Sequence, residues 1–212
     1  MSYIDILNIL ESELKMSSDK IFNIYLYGSR VYGVANDKSD YDYIIVSDTP
    51  VNEVEYRFKD GNNIEYNFHV LSVDYFQKRL DLNEPEIIEC LLWSKKQPIL
   101  ETKEFVIKID FSKYRHSVSH ISSNSYVKAK KKIEVEDECY IGQKSLYHSL
   151  RIPMYAIQVL KYNDIVDWQC ANEYWDDIMK LSTWEELKAK YKPIHNYIMS
   201  EFRKLCPKSL DN

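Results

Sequence analysis

Glycine and cysteine are scarce in this chain, and long apolar runs are missing from it. Four glycines and four cysteines occur among 212 residues. So few glycines exclude collagen-like and flexible low-complexity chains, and they make each glycine worth locating. Cys90, Cys139, Cys170 and Cys206 are scattered with no C-x-x-C pair. That spacing argues against a zinc ribbon or a disulfide scaffold and for ordinary reduced thiols. No run approaches the roughly 18 apolar residues of a membrane-spanning helix. The opening MSYIDILNILESEL carries Asp5, Glu11 and Glu13 without a basic start, so it does not read as a secretion signal, and a cytoplasmic protein is expected. Internal repeats and Pro/Gly/Ser-rich linkers are also missing.

Tyrosine is abundant, with 18 copies. Such large amphipathic rings suit grooves that bind polar ligands. Charge is abundant but unevenly placed. Residues 1–110 hold 12 basic and 20 acidic side chains, whereas residues 111–212 hold 16 and 13. An acidic half beside a basic half can hold a cation in one and phosphate in the other.

Hydrophobic spacing assigns the elements. Ile6, Leu7, Ile9, Leu10 and Leu14 share a helical face over residues 4–14. Residues 21–27 and 41–46 are rich in β-branched and aromatic residues and read as strands. Residues 53–58 and 63–71, joined by the turn signal Asp60-Gly61-Asn62, read as a hairpin. Strand 63–71 alternates, with Ile64, Tyr66, Phe68 and Val70 on one side and Glu65, Asn67 and His69 on the other. Helical spacing follows over 73–80, 85–93, 112–133, 143–161, 170–181 and 184–204, with Pro153 expected to kink the fourth of these and Pro193 a candidate break in the last. The expected class is α+β: a mixed or antiparallel sheet with flanking helices, followed by a helical C-terminal region from about residue 111.

One stretch carries chemistry. Strand 21–27 delivers the chain to Gly28, where a missing Cβ allows a sharp turn and close backbone approach. Ser29 offers a hydroxyl and a backbone N–H at an expected helix start, a placement that favours anions. Arg30 adds a guanidinium fork able to grip phosphate oxygens, and Gly33 lets the chain turn away. After ten intervening residues Ser29 is followed by Asp40 and Asp42, an i, i+2 pair that points to one face of a strand. Two carboxylates on one face are costly unless a cation sits between them. Hard oxygen ligands suit Mg²⁺ or Mn²⁺. Glu65, on the polar side of strand 63–71, is the best candidate for a third carboxylate in a two-metal site. Taken singly, Gly-Ser after a strand is an ordinary turn and Asp-x-Asp an ordinary solvated edge; the argument lies in their combination.

That combination, strand, Gly-Ser, ten residues, Asp-x-Asp, strand, Glu, resembles the DNA polymerase β-type nucleotidyltransferase superfamily. The fuller string Tyr27-Gly-Ser-Arg-Val-Tyr-Gly33 with Ser39-Asp-Tyr-Asp42 is similar to a narrower group, the RNA-ligase-associated, RNA-repair-type predicted nucleotidyltransferases. Asn63 to Ser72, Glu84 to Trp93 and Lys144-Ser-Leu-Tyr-His-Ser-Leu-Arg151 resemble further segments of that group. The resemblance covers roughly residues 20–160. It implies a nucleotidyltransferase catalytic domain over 1–110 and a helical substrate-binding domain over 111–212. It implies transfer of a nucleotide from a nucleoside triphosphate to an acceptor hydroxyl with release of pyrophosphate, supported by Mg²⁺ or Mn²⁺. It also places Gly28 and Ser29 at the phosphate turn with Arg30 beside them, Asp40 and Asp42 as the metal pair, and Glu65 as the third carboxylate, which assists deprotonation of the acceptor. His69 is either a substrate contact or a hydrogen-bonded structural residue.

The second half adds basic candidates. Between Asp110 and Glu134 there is no acidic residue, and Lys113, Arg115, His116, His120, Lys128, Lys130, Lys131 and Lys132 are interleaved with Tyr114 and Tyr126. Basic residues with aromatics suit phosphate tracking and base stacking, although a solvated basic face is the plainer reading. Arg115, His116 and Lys132 are candidate acceptor contacts. Lys144, His148 and Arg151 fall on one helical face; with Lys128 and Tyr147 they are candidate nucleotide contacts. An RNA acceptor, such as a tRNA 3′ end, is expected from these features. A protein side chain, a small molecule, or a non-catalytic nucleotide- or RNA-binding module are the rivals. Trp168, Tyr174, Trp175 and Trp184 are expected in the core.

Overall fold

The computed structural model describes residues 3–208. The chain divides into two units, one through Lys108 and one from Ile109 onward.

The first unit opens with helix α1 (Tyr3–Ser12) and continues through strand β1 (Ile21–Tyr27), the short helix α2 (Ser29–Tyr32), strands β2 (Tyr41–Ser47), β3 (Glu53–Lys59) and β4 (Glu65–Ser72), helices α3 (Val73–Asp81) and α4 (Pro85–Ser94) and the two-residue strand β5 (Leu100–Glu101). The strands form one mixed sheet in the order β3-β4-β2-β1-β5, in which β2 and β4 run parallel and the other neighbours antiparallel. Alternation sorts its faces. On one face Ile24, Tyr43, Ile45, Tyr66, Phe68 and Val70 form a core with Ile6 and Leu10 of α1. Burying each such aliphatic side chain contributes about 1.5–3 kcal/mol. On the other face Tyr25 stacks on Phe76 of α3, with ring centroids 5.6 Å apart, and α4 packs against β1. Ser72 starts α3 by accepting the backbone N–H of Tyr75 at 3.2 Å. β5 is too short to show a periodicity; it is held by its pairing to Asn23 and Ile24 and by Asn23, whose amide binds Lys103 in both directions at 2.8 and 3.0 Å.

The second unit is helical: α5 (Phe111–Glu134), α6 (Cys139–Tyr162), the four-residue α7 (Trp175–Ile178) and α8 (Trp184–Leu205). Asp110 caps α5 by accepting the Lys113 N–H at 3.0 Å; a cap of this kind contributes about 1 kcal/mol. α5 and α6 approach closely at Gly142, where an added Cβ would overlap the Ile133 side chain and lie 2.9 Å from the Ala129 carbonyl. Both prolines lie inside continuous helices. Pro153 cannot donate to the carbonyl of Ser149 four residues earlier. The Ser122 hydroxyl of α5 takes that carbonyl instead, at 2.8 Å.

The helix expected over 170–181 is not continuous. A 3-10 turn (Asn172–Tyr174) leads into α7, which stops at Ile178. Its end is set by Gln143 of α6, whose amide donates to the carbonyls of Ile178, Met179 and Leu181 at 3.3, 3.3 and 2.8 Å, so these carbonyls are satisfied without further helical turns. Trp168 and Trp184 are buried; Trp175 packs on Tyr147 and Tyr174 on Tyr191. All four cysteines are free thiols. No helix among the described residues is long and apolar enough to cross a membrane.

Candidate active site

The site lies where β1 ends. Gly28 has φ +84° and ψ −161°, a conformation open essentially to glycine alone. A Cβ there would overlap the Asp42 carboxylate and lie 3.1 Å from its Cγ. The Gly28–Ser29 turn and Asp42 are therefore in direct apposition, the close approach for which a missing Cβ is required. α2 is only four residues long, so its dipole is small. What Ser29 presents is its own N–H and hydroxyl rather than a long helix terminus.

The register aligns the rest. Asp42 lies opposite Tyr27 of β1 and opposite Asn67 of β4, and Asn67 lies opposite Arg57 of β3. One row thus crosses four strands, Arg57, Asn67, Asp42, Tyr27, with side chains on one face. Asn67 Nδ2 donates to Asp40 Oδ2 and to Asp42 Oδ1, both at 3.0 Å. The two carboxylates expected as a metal pair therefore converge on one point. Asn67 Oδ1 is shut away from solvent without a hydrogen-bond partner. The Tyr27 hydroxyl has its pKa raised, first by burial and then by the charges of Glu86 and Asp42, so it stays protonated beside the carboxylates.

Two residues have partners other than those expected. Glu65 does not close a three-carboxylate site. It stands at the start of β4, 3.5 Å from Lys59 Nζ, and the position beside the aspartates belongs to an amide, Asn67. Among the described residues the one group of three His, Cys, Asp or Glu ligand atoms close enough to share an ion is Glu53, Glu55 and His69. His69 is that group's centre, with Nδ1 3.5 Å from Glu53 and 3.6 Å from Glu55 and its ring edge-on to Tyr27. Arg30 is not aimed at a phosphate position. Its Nε and one terminal nitrogen donate to the carbonyls of Asp40 and Ser39 at 3.1 and 2.5 Å, and its guanidinium lies 3.6 Å over the Tyr41 ring. Tyr41 points to the opposite face from Asp42. Arg30 thus ties down the segment that carries Asp40 and acts as a positioning residue.

In the helical unit the nucleotide candidates separate. Tyr147 is fully buried and donates to Asn172 Oδ1 at 2.7 Å, so it serves the core and offers no face to a base. Lys128, Lys144, His148 and Arg151 do come together. The pKa of His148 is pushed well down by burial first and then by the charges of Arg151, Lys144 and Lys128. Its neutral ring accepts from Arg151 Nε at 3.4 Å, and the buried Arg151 guanidinium lies 4.7 Å from the Tyr155 ring centre. Of the acceptor candidates, Lys132 is held by Glu136 and Glu138, both at 2.5 Å, which takes its charge out of play. Arg115 and His116 line a groove of about 790 Å³ together with Ser119, His120, Arg203 and Lys208. Arg115 also donates to the carbonyls of Arg203 and Cys206 at 2.9 and 2.5 Å, fixing the groove wall. Sequence reading missed Asn67, Arg57, Arg203 and Lys208. Asn67 and Arg57 could have been found only from strand register, which is nonlocal.

No protein among those with curated descriptions matches the chain. Solved structures that align with it include a nucleotidyltransferase-like protein from Exiguobacterium sibiricum, at 14% identity over 95% of this chain and 73% of that one with a TM-score of 0.38. Another is the spectinomycin adenyltransferase AAD(9) from Enterococcus faecialis with ATP and spectinomycin, at 13% identity over 95% of this chain and 98% of that one with a TM-score of 0.49. Likeness at this level bears on neither substrate nor mechanism. Across residues 5–108, which contain the whole sheet, the chain matches the family model of the nucleotidyltransferase domain, the superfamily to which the Gly28–Ser29 and Asp40–Asp42 motifs point.

Proposed function

We propose that the protein is a metal-dependent nucleotidyltransferase acting on a nucleoside triphosphate, with RNA as acceptor. The observation that carries this reading is the convergence of Asp40 and Asp42 on one point beside the Gly28–Ser29 turn. Both are hard oxygen donors, and their convergence fits Mg²⁺ or Mn²⁺. When bound, such an ion neutralises the carboxylates and draws charge from the phosphate under attack. The chain's own residues do the rest. Ser29 offers its N–H and hydroxyl to the phosphates, Arg57 places a cation on the same face, and Arg30 and Gly28 hold the aspartates in register. The acceptor hydroxyl gives up its proton to solvent as its oxygen attacks the α-phosphorus, the bond to the β-phosphate oxygen breaks, and pyrophosphate leaves with that electron pair. RNA is favoured as acceptor by the groove lined by Arg115, His116, His120, Arg203 and Lys208, since cations and hydroxyls along a groove suit a phosphate backbone.

A second reading, a module that binds nucleotide without transferring it, is favoured by one observation: the third carboxylate is displaced and an amide stands in its place. Incubation with each α-labelled triphosphate, Mg²⁺ or Mn²⁺ and total RNA separates the two. Label on RNA that disappears in an Asp40→Ala/Asp42→Ala variant is the expected result. Label on the polypeptide or on a small molecule would reassign the acceptor, and nucleotide binding without pyrophosphate release would favour the second reading.

A further inference from the structure

Asn67 occupies the position between the two aspartates, and its two polar atoms are in opposite circumstances. Nδ2 has two acceptors at 3.0 Å, both carboxylate oxygens. Oδ1 is enclosed and has no partner. A buried carbonyl left without a partner costs about 1–3 kcal/mol, so the arrangement must be held by what Nδ2 does. It brings partial positive charge to the point where two negative groups meet, which is what a cation would do there. We propose that Asn67 is a reversible stand-in for the divalent cation and becomes its third protein ligand. The carboxamide turns over about its last side-chain bond, so that Oδ1 takes the place of Nδ2 and coordinates the ion together with Asp40 and Asp42. This inference rests on the nucleotidyltransferase reading of the same site.

The turn is chemically balanced. A carboxamide torsion of this kind is broad and roughly two-fold, so the two orientations have nearly the same shape. Either way one amide atom is enclosed without a partner: Oδ1 before the turn, Nδ2 after it. The contacts on the aspartate side therefore decide the direction. Without a cation, an amide oxygen facing two carboxylates is repelled and the N–H donors are preferred. With a cation, the donors are repelled, and the amide oxygen is a suitable hard ligand for Mg²⁺ or Mn²⁺. The donor set then carries two negative charges rather than three. Such a site holds a free ion weakly and gains the missing charge from the phosphates of the triphosphate, so ion and nucleotide are taken up together.

The test uses the full chain, Mn²⁺ as probe, and asparagine labelled with ¹³C at the carboxamide carbon. Electron–nuclear double resonance on bound Mn²⁺ should show a ¹³C coupling that is absent in Asn67→Ala. Asn67→Asp should bind Mn²⁺ at least about tenfold more tightly than the native chain, because a third carboxylate replaces the stand-in. Its melting temperature should fall without metal and recover when Mn²⁺ is added. Mn²⁺ bound in an Asp42-dependent manner but without the ¹³C coupling would overturn the inference and leave the reading of the site intact. If Asp42→Asn removes no Mn²⁺ binding, with or without a non-hydrolysable triphosphate, the reading itself fails and the inference with it.

Discussion

The two units solve opposite electrostatic problems. The sheet unit gathers negative charge: Asp40 and Asp42 meet at one point and Asn67 supplies the compensating donors. The helical unit gathers positive charge: Lys128, Lys144 and Arg151 surround His148, whose ring they help to keep neutral. In the first, relief comes from the amide donors of Asn67. In the second, relief comes from a titratable group that gives up its proton. The same fold thus relieves clustered like charges in two ways, by a neutral donor and by loss of a proton.

The comparison can be broken most severely at Asp42. Asp42→Ala should reduce nucleotide transfer by roughly 100-fold or more, while RNA binding by the groove residues of the helical unit stays within about twofold. Equal loss of both, measured by pyrophosphate release and by filter binding, would mean that the two units do not divide the work. Gly28→Ala should come next. It forces a side chain into the Asp42 carboxylate and a strained backbone on a non-glycine residue, at a cost of about 1–3 kcal/mol, with loss of transfer and a lower melting temperature. A Gly28→Ala variant with native activity would show that the close approach does not matter.

The helical unit is sharpened by pH. The pKa of His148 in the folded chain lies below its unfolded value, and that of His195 is lowered too, mainly by burial. Below about pH 6.5 the unfolded chain binds protons that the folded chain refuses. Stability contributed by these two residues is therefore present above that pH and lost as the pH falls through it. Melting temperature measured from pH 8 to pH 5 should drop across this window, and His148→Gln should flatten part of the drop. The smallest effect belongs to the groove rim. Arg203→Gln with Lys208→Gln should lower the slope of log affinity for single-stranded RNA against log salt by about 1.4, with transfer to a saturating acceptor nearly unchanged.

How far these features can be read from the chain alone differs between them for physical reasons. Gly28, Ser29, Asp40 and Asp42 are legible because the chemistry fixes both their types and their spacing along one continuous segment. Glu65 drew attention because carboxylates are the expected ligands. Asn67 did not, because an amide on the polar side of a strand looks like any solvent-facing residue until the register of β2 and β4 is known. Arg30 misleads for a related reason: its partner Tyr41 is eleven residues away and points to the other face. The long helices were plain from their periodicity. The end of α7 was not, since it is set by Gln143 from another helix.

Pro153, Gly142 and Ser122 together have a consequence for motion. A helix pair joined by ordinary side-chain packing can slip by one turn with modest loss, since ridges find equivalent grooves. Here α6 carries one carbonyl that its own proline leaves unserved, and α5 carries one hydroxyl placed to serve it. Seven residues before Ser149, at Gly142, the axes come too close for any other residue to pass. A one-turn slip would strand the Ser149 carbonyl and drive a side chain into the Ala129 backbone. The pair is thus a key with a single setting, and any conformational change that accompanies turnover must carry α5 and α6 as one rigid piece.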